Sequence, residues 1–316
     1  MYDSLPQPFF VLAPMEDVTD TVFRRVVARC AKPDFFVTEF TNADGLWSRG
    51  ADEVAMRLRY TEEERPIVAQ IWGRDPEIFY KTAQKLVEMG FDGIDVNFGC
   101  PERSVMQHAC GAALIEEPEL AAKIIGETIR GAGKLPVSVK TRIGVGKIVT
   151  EEWAKALLAT GIAALAVHGR TAREMSKVPA HWDEIGKVVR VRDGMGGATK
   201  IIGNGDVKSR ADGLDKAKEF GVDGIMIGRG IFDNPWIFSV DEHQPTREEL
   251  LKLMLFHLDL FEKEWGERKP FVVLKKYFKI YIRDFAGASA LRVELMMTKT
   301  FADARMRVQG VLDGTN

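Results

Sequence analysis

The chain has 316 residues, of which 46% are hydrophobic and 28% charged, and its 44 basic against 46 acidic side chains leave a formal charge of −2. This balance excludes a globally basic nucleic-acid binder, so any contact with RNA must come from a local patch. No apolar run approaches the roughly 20 residues that a membrane-spanning helix needs, and the length suits a barrel of roughly 250 residues with a small appendage.

The N-terminus, MYDSLPQPFFVLAP, lacks the positively charged start of a signal peptide, so the protein is expected to stay in the cytoplasm. Cys30, Cys100 and Cys110 show no metal-ligand spacing, and an odd number argues against a disulfide framework. No metal is expected, and at least one thiol is free.

Near-continuous β-rich runs recur at 9–14, 35–40, 66–73, 92–99, 136–142, 163–169, 200–205 and 223–230. Parallel strands covered on both faces read this way, and the stretches between them are long enough for crossover helices. An eight-fold count predicts an α/β fold of the (β/α)₈ TIM-barrel type. Helices are expected over 76–89, ending at Gly90, over 118–129, ending near Gly131, and over 210–220, ending at Gly221. The glycine-rich stretch 191–198 reads as a loop. After Asp241 the strand signal stops, and helix-like segments follow at 246–265, 270–285 and 287–296, with a further turn near 299–307. The expected organisation is a barrel over 1–240 and a small all-helical domain over 241–316.

Barrel chemistry gathers at the C-terminal ends of the strands. Those ends carry Met15, Glu39, Gln70, Asn97, Cys100, Lys140, Arg142, His168, Arg170, Asn204, Gly205, Gly228 and Arg229. The turns GNGDV and IGRG close the last two strands, where barrels bind phosphate through backbone N–H groups. Either turn alone is explained by tight βα geometry; the pair points to a phosphorylated ligand. Lys140 is costly to bury unless something electron-rich lies over it. A flavin meets that demand, with Gln70 and Met15 holding its other edge and one face. A buried ion pair with Asp95 or Glu39 would explain the lysine as well.

In order along residues 8–240, the strings APMEDVTD, DGIDVNFGCPERSV with GAALI, VSVKTRIG, AVHGRTA, IGNGDV and MIGRGIFDNPWIF resemble the tRNA-dihydrouridine synthase family. The resemblance implies an FMN-carrying barrel that takes reducing equivalents from NADPH, passes hydride to C6 of a tRNA uridine and ends in a helical RNA-binding domain. It casts Cys100 as the general acid that protonates C5, a task suited to a thiol still protonated at neutral pH. Pro14, Met15, Gln70, Lys140, His168, Asn204, Gly205, Gly228 and Arg229 form the implied FMN set, and Asn97, Arg142 and Arg170 the implied uridine set. The segment after GCP is expected to be a mobile loop, which argues against His108 activating the thiol. Arg103-Ser104 stands where the family often has lysine, and 107–110 departs from a basic, glycine-rich pattern; both bear on the loop rather than the reaction class. Cys110 reads as a packing residue beside Gly111.

For RNA, Lys275, Lys276 and Lys279 stand among Arg268, Lys269 and Arg283, interleaved with Phe271, Tyr277, Phe278 and Tyr281. The pattern reads as a phosphate-binding patch or as an amphipathic helix with its aromatics in the core. The expected partners are tRNA and NADPH, with no membrane and a monomeric state. Three other readings stay open: an FMN ene-reductase acting on a small pyrimidine, as in dihydroorotate dehydrogenase-like barrels; an RNA-binding protein without catalysis; and a non-redox phosphosugar barrel.

Overall fold

A computed structural model describes residues 1–314. Nine strands run among them: β1 (Phe9–Leu12), β2 (Phe36–Val37), β3 (Thr41–Asn42), β4 (Ile67–Trp72), β5 (Gly93–Phe98), β6 (Val137–Arg142), β7 (Ala164–His168), β8 (Lys200–Asn204) and β9 (Gly224–Ile227). All pair in parallel in the order β1-β9-β8-β7-β6-β5-β4-β2, with β3 also on β4. A parallel bridge between Val11 and Phe35 brings the two edges together, giving the expected TIM barrel. All eight expected runs carry strand; the second, 35–40, holds only the two-residue β2, and the equally short β3 lies just beyond it.

The crossover helices start and stop where turn chemistry directs. Asp75 accepts from the N–H of Glu77 at 2.8 Å and Pro76 occupies the first turn, so helix Pro76–Glu88 is capped at its N-terminus. Helix Arg210–Phe220 is capped by Ser209 and stopped by Gly221 in the left-handed conformation. Two expectations are corrected. Helix Pro118–Ala132 does not stop near Gly131 but runs on to Gly133. A Cβ on Gly131 would lie 2.3 Å from the Tyr80 carbonyl oxygen, so this glycine serves a close helix crossing. The stretch 191–198 is not all loop, because helix Trp182–Gly194 extends into it. Gly131→Ala is expected to lower the urea unfolding midpoint, at a cost of about 1–3 kcal/mol for overpacking. An unchanged midpoint would show that the crossing yields.

Strand alternation divides the barrel interior. Phe9, Val11, Val37, Val68, Ala164, Ala166, Ile202 and Met226 form a buried apolar cluster with Tyr2 and Phe35. Along β4, β5 and β6 the buried residues Gln70, Asp95, Asn97 and Ser138 make a polar seam instead.

The chain groups into two compact units, Met1–Thr21 with Pro33–Gly228, and Val22–Lys32 with the chain from Arg229 onward. The first helix, Thr21–Cys30, therefore counts almost wholly with the tail. Inside that unit Phe23 stacks on Tyr277 at 5.2 Å and Arg29 lies 4.6 Å over Phe256. Helix Arg247–Trp265 opens with a reciprocal capping box between Thr246 and Glu249. The expected helix over 270–285 is instead a 3₁₀ helix, Phe271–Tyr277, followed by the short helix Phe278–Tyr281. Phe271, Leu274 and Tyr277 are buried three residues apart, the repeat that a 3₁₀ helix places on one face. Helices Ala288–Met297 and Phe301–Leu312 follow, the second extending past the turn expected near 299–307.

The four aromatic side chains of the basic stretch, Phe271, Tyr277, Phe278 and Tyr281, are buried and pack within this unit, so they are core residues rather than a stacking platform for bases. Lys275 is half-buried and donates to the Met296 carbonyl at 2.6 Å, near the end of helix Ala288–Met297. Lys276 and Lys279 are exposed. Among the described residues no helix is long and apolar enough to cross a membrane, and no group of three or more His, Cys, Asp or Glu side chains could hold a metal ion.

Candidate active site

Parallel register stacks the inward side chains in rows. Gln70 lies opposite Asp95, and Asp95 opposite Ser138. One step nearer the strand ends, Asn97 lies opposite Lys140. At the ends themselves Arg142 lies opposite His168, and His168 opposite Asn204. A cavity of about 370 Å³ opens at the ends of β5 and β6, lined by Asn97, Lys140, Arg142 and the turn Gly99–Glu102, with Pro14, Glu16, Asp17 and Phe40 as further walls; Gln70, His168 and Asn204 are not part of its lining. The volume is that of a small-ligand cleft.

Asn97 and Arg142 build the turn that carries the thiol. Asn97 Oδ1 accepts from the backbone N–H of Gly99 at 3.0 Å and of Cys100 at 2.9 Å. Arg142 donates from Nε to the Gly99 carbonyl at 2.8 Å and from Nη1 to the carbonyls of Thr171 at 3.1 Å and Met175 at 3.2 Å. Cys100 is 7% exposed and packs with Phe40, Val105 and Cys110. Burial pushes its thiol above the ordinary range; a backbone hydrogen bond from Glu102 opposes this, while the charges of Glu16 and Glu102 add to it. The thiol is therefore protonated at neutral pH. The segment that follows forms a short helix, Arg103–Gln107, and His108 is exposed. Cys110 is the packing residue expected.

Lys140 is half-buried, and burial draws its ammonium down to about 8, helped by the Arg142 charge and opposed by Asp95 and Cys100. Burial likewise draws Arg142 down to about 10. The two cations that β6 buries at this site, Lys140 and Arg142, are expensive to hold without an electron-rich occupant.

Arg170 is 2% exposed. Nε donates to the Val178 carbonyl at 2.6 Å, Nη2 pairs with Asp206, and Nη1 lies 3.1 Å from His168 Nε2. A guanidinium only donates, so Nε2 accepts, and in the neutral ring Nδ1 carries the proton. Arg170 thus fixes the His168 ring through Nη1, with Nε and Nη2 taken up by Val178 and Asp206. Asn204 donates to the Met226 carbonyl at 2.8 Å, tying β8 to β9. Gly205 follows with φ +133, and a Cβ there would come 2.6 Å from Ala180 Cβ and 3.3 Å from the His168 ring. Met15 is half-buried beside Pro14, its N–H donating to Thr19 Oγ1 at 2.9 Å. Gly228 closes the barrel unit, and the exposed Arg229 opens the other.

An ammonium, an oriented imidazole N–H and glycine turns ending two adjacent strands make a donor set that fits a flat, electron-accepting ring bearing a phosphate. The sequence reading did not assign roles to Glu16, Glu102, Ser138 or Asp206, and treated Asp95 only as a partner for Lys140. For Asp95 a signal exists: in DGIDVNFG, polar or small residues recur at every second position of an otherwise apolar strand. For Asp206 there is none, because only the fold carries it to Arg170.

The family model described as dihydrouridine synthase matches residues 11–313. A probable tRNA-dihydrouridine synthase of Staphylococcus aureus (strain COL) is 48% identical over 307 residues, covering 96% of this chain and 93% of that protein. Probable tRNA-dihydrouridine synthase 2 of Bacillus subtilis (strain 168) is 48% identical over 306 residues, covering 95% and 93%. Among solved structures, morphinone reductase in complex with tetrahydroNAD superposes with a TM-score of 0.53 at 13% identity, over 77% of this chain and 90% of that one, a likeness of fold.

Proposed function

Since the chain belongs to the dihydrouridine synthase family, we propose that it reduces the C5–C6 double bond of specific uridines in tRNA, with Cys100 giving the proton to C5. The observation that carries this reading is the buried Cys100 thiol, which burial holds above its ordinary range, in one cavity with Asn97, Lys140 and Arg142. FMN, when bound, supplies the hydride that reaches C6, and NADPH restores it. Lys140 and His168 are suited to face the electron-rich edge of the ring, Pro14 and Met15 to line it, and Asn204, Gly205 and Gly228 to shape the turns for its phosphate, while Gln70, expected in this set, is fully buried with its amide bound to Asn97 and Asp95. Asn97 and Arg142 face the cavity where a flat base would lie, and Arg170 acts there through His168. Reaching C5 and C6 requires the uridine to leave its stack, so polar groups must replace its lost pairing.

Proton transfer leaves Cys100 as a thiolate. The nearby charges of Arg142 and Lys140 favour that state once it forms, and solvent restores the proton after product leaves. In the helical tail, which we take as the tRNA-binding domain over 241–316, the exposed Lys276 and Lys279 are the candidates for phosphate contact. Lys275 serves mainly to close a helix.

The direct test is mass-resolved nucleoside analysis of unmodified tRNA after incubation with the purified protein and NADPH. Dihydrouridine should appear. Flavin that is reduced and reoxidised while the tRNA stays unchanged would instead favour a small pyrimidine-like substrate.

A further inference from the structure

The polar seam inside the barrel has a direction. Backbone N–H groups only donate, so the Asn97 atom facing Gly99 and Cys100 is its oxygen, and its Nδ2 must face away. That Nδ2 donates to Gln70 Oε1 at 2.9 Å. Gln70 Nε2 in turn donates to Asp95 Oδ2 at 2.6 Å, and Ser138 Oγ donates to Asp95 Oδ1 at 2.5 Å. Gln70 has no exposed surface, Ser138 is 3% exposed, and Asp95 and Asn97 are each 5% exposed, so water competes little for these bonds. One consistent orientation runs through both amides because the chain begins on backbone donors and ends on a group that accepts at both oxygens. A buried amide turned the other way would set donor against donor at the Cys100 turn.

We propose that Asp95 is a positioning residue: as the terminal acceptor of the seam it orients the Gln70 and Asn97 amides and thereby holds the Gly99–Cys100 turn that presents the thiol. This rests on the reading of Cys100 as proton donor. Burial lifts the Asp95 carboxyl to about 6, against the hydrogen bonds from Ser138 and Gln70 and the Lys140 charge, so it is ionised and accepting at neutral pH. A buried carboxylate is costly, and in this seam its cost has a use: a neutral amide at the same place leaves the direction of the chain undecided.

The test reverses that direction in the full-length holoprotein. Asn97→Asp alone places acceptors at both ends of Gln70, so one side of its amide meets oxygen with oxygen. Adding Asp95→Asn lets the chain run the opposite way, with the carboxylate at 97 accepting from the turn and from Gln70, and the new amide at 95 donating to Gln70. Two readouts need no turnover: the urea unfolding midpoint, and the rate at which iodoacetamide modifies Cys100, followed by peptide mass. Asn97→Asp should change the Cys100 rate by about tenfold, the scale of one lost buried hydrogen bond. The double variant should regain most of both losses. Losses in the double variant equal to the sum of the two single ones would overturn the proposal and leave Asp95 as a packing residue. Failure of the proton-donor reading shows elsewhere, as full dihydrouridine formation by Cys100→Ala, and would not alter the outcome of this cycle.

Discussion

Cys100→Ala is expected to keep its flavin and to form dihydrouridine about 10²–10⁴-fold more slowly, the range over which a positioned general acid contributes. The thiol sits on a turn held by Asn97 and Arg142, in a cavity whose other polar side chains are the Asn97 amide, two cations and three carboxylates. Of the side chains lining that cavity, Cys100 is the neutral acid that burial keeps protonated. The pH dependence follows in sign: because the thiol is pushed above its ordinary value, proton donation should hold through neutral pH and fail only in the alkaline range. Removing the sulfur leaves the backbone N–H groups in place, so the turn and flavin content should survive, as visible absorbance per protein will show. Nucleoside analysis showing wild-type dihydrouridine in Cys100→Ala would remove Cys100 from the mechanism.

Lys140→Met should move function and stability in opposite directions. With the cation gone, NADPH-driven reduction of bound flavin is expected to slow by about 10²–10³-fold, the scale of losing a fixed charge at a reacting centre. Stopped-flow flavin absorbance checks this, and an unchanged rate would sink the assigned role. Stability follows from the depressed ammonium. Its folded value of about 8 lies below the ordinary lysine value, so across the window between them the unfolded chain binds more protons than the folded one. The group's contribution to stability therefore rises with pH through that window, and below it the charged ammonium costs folding energy. A methionine of similar length removes that cost, so flavin-free Lys140→Met should unfold at higher urea at pH 7, by about 1 kcal/mol after allowing for the partial exposure of the lysine. A lower midpoint would mean that the ammonium has stabilising partners in the flavin-free protein.

The helical tail shows where sequence reading is weak. Basic residues interleaved with aromatics suit both an RNA surface and an ordinary core-facing helix, and nothing local separates the two. The structure separates them by burial: the rings of Phe271, Tyr277, Phe278 and Tyr281 turn inward, and Tyr281 lies 2.7 Å from His257 Nδ1 through its hydroxyl. The first helix is a second case. Its position between two strands suggests a barrel helix, yet Phe23 is seated on Tyr277 in the tail unit. Arg170 is a third, a strand-end arginine whose guanidinium is bound by Val178, His168 and Asp206.

By itself the sequence determined where the eight strand-bearing runs of the barrel lie, most helix ends, the barrel class and the residues at the strand tips. Each of these is encoded within a short window, by β-branched runs, capping side chains and glycines that accept left-handed backbone. Only the tertiary structure decided which tips share a row. Register around a closed barrel is set by the stagger of all its strands together, and a one-residue slip between β5 and β6 would separate Asn97 from Lys140 and Asp95 from Ser138. The directed seam from Asp95 to Cys100, the pairing of Arg170 with Asp206 and the burial that protonates the thiol all depend on that stagger, because each arises between residues distant in sequence and adjacent in space.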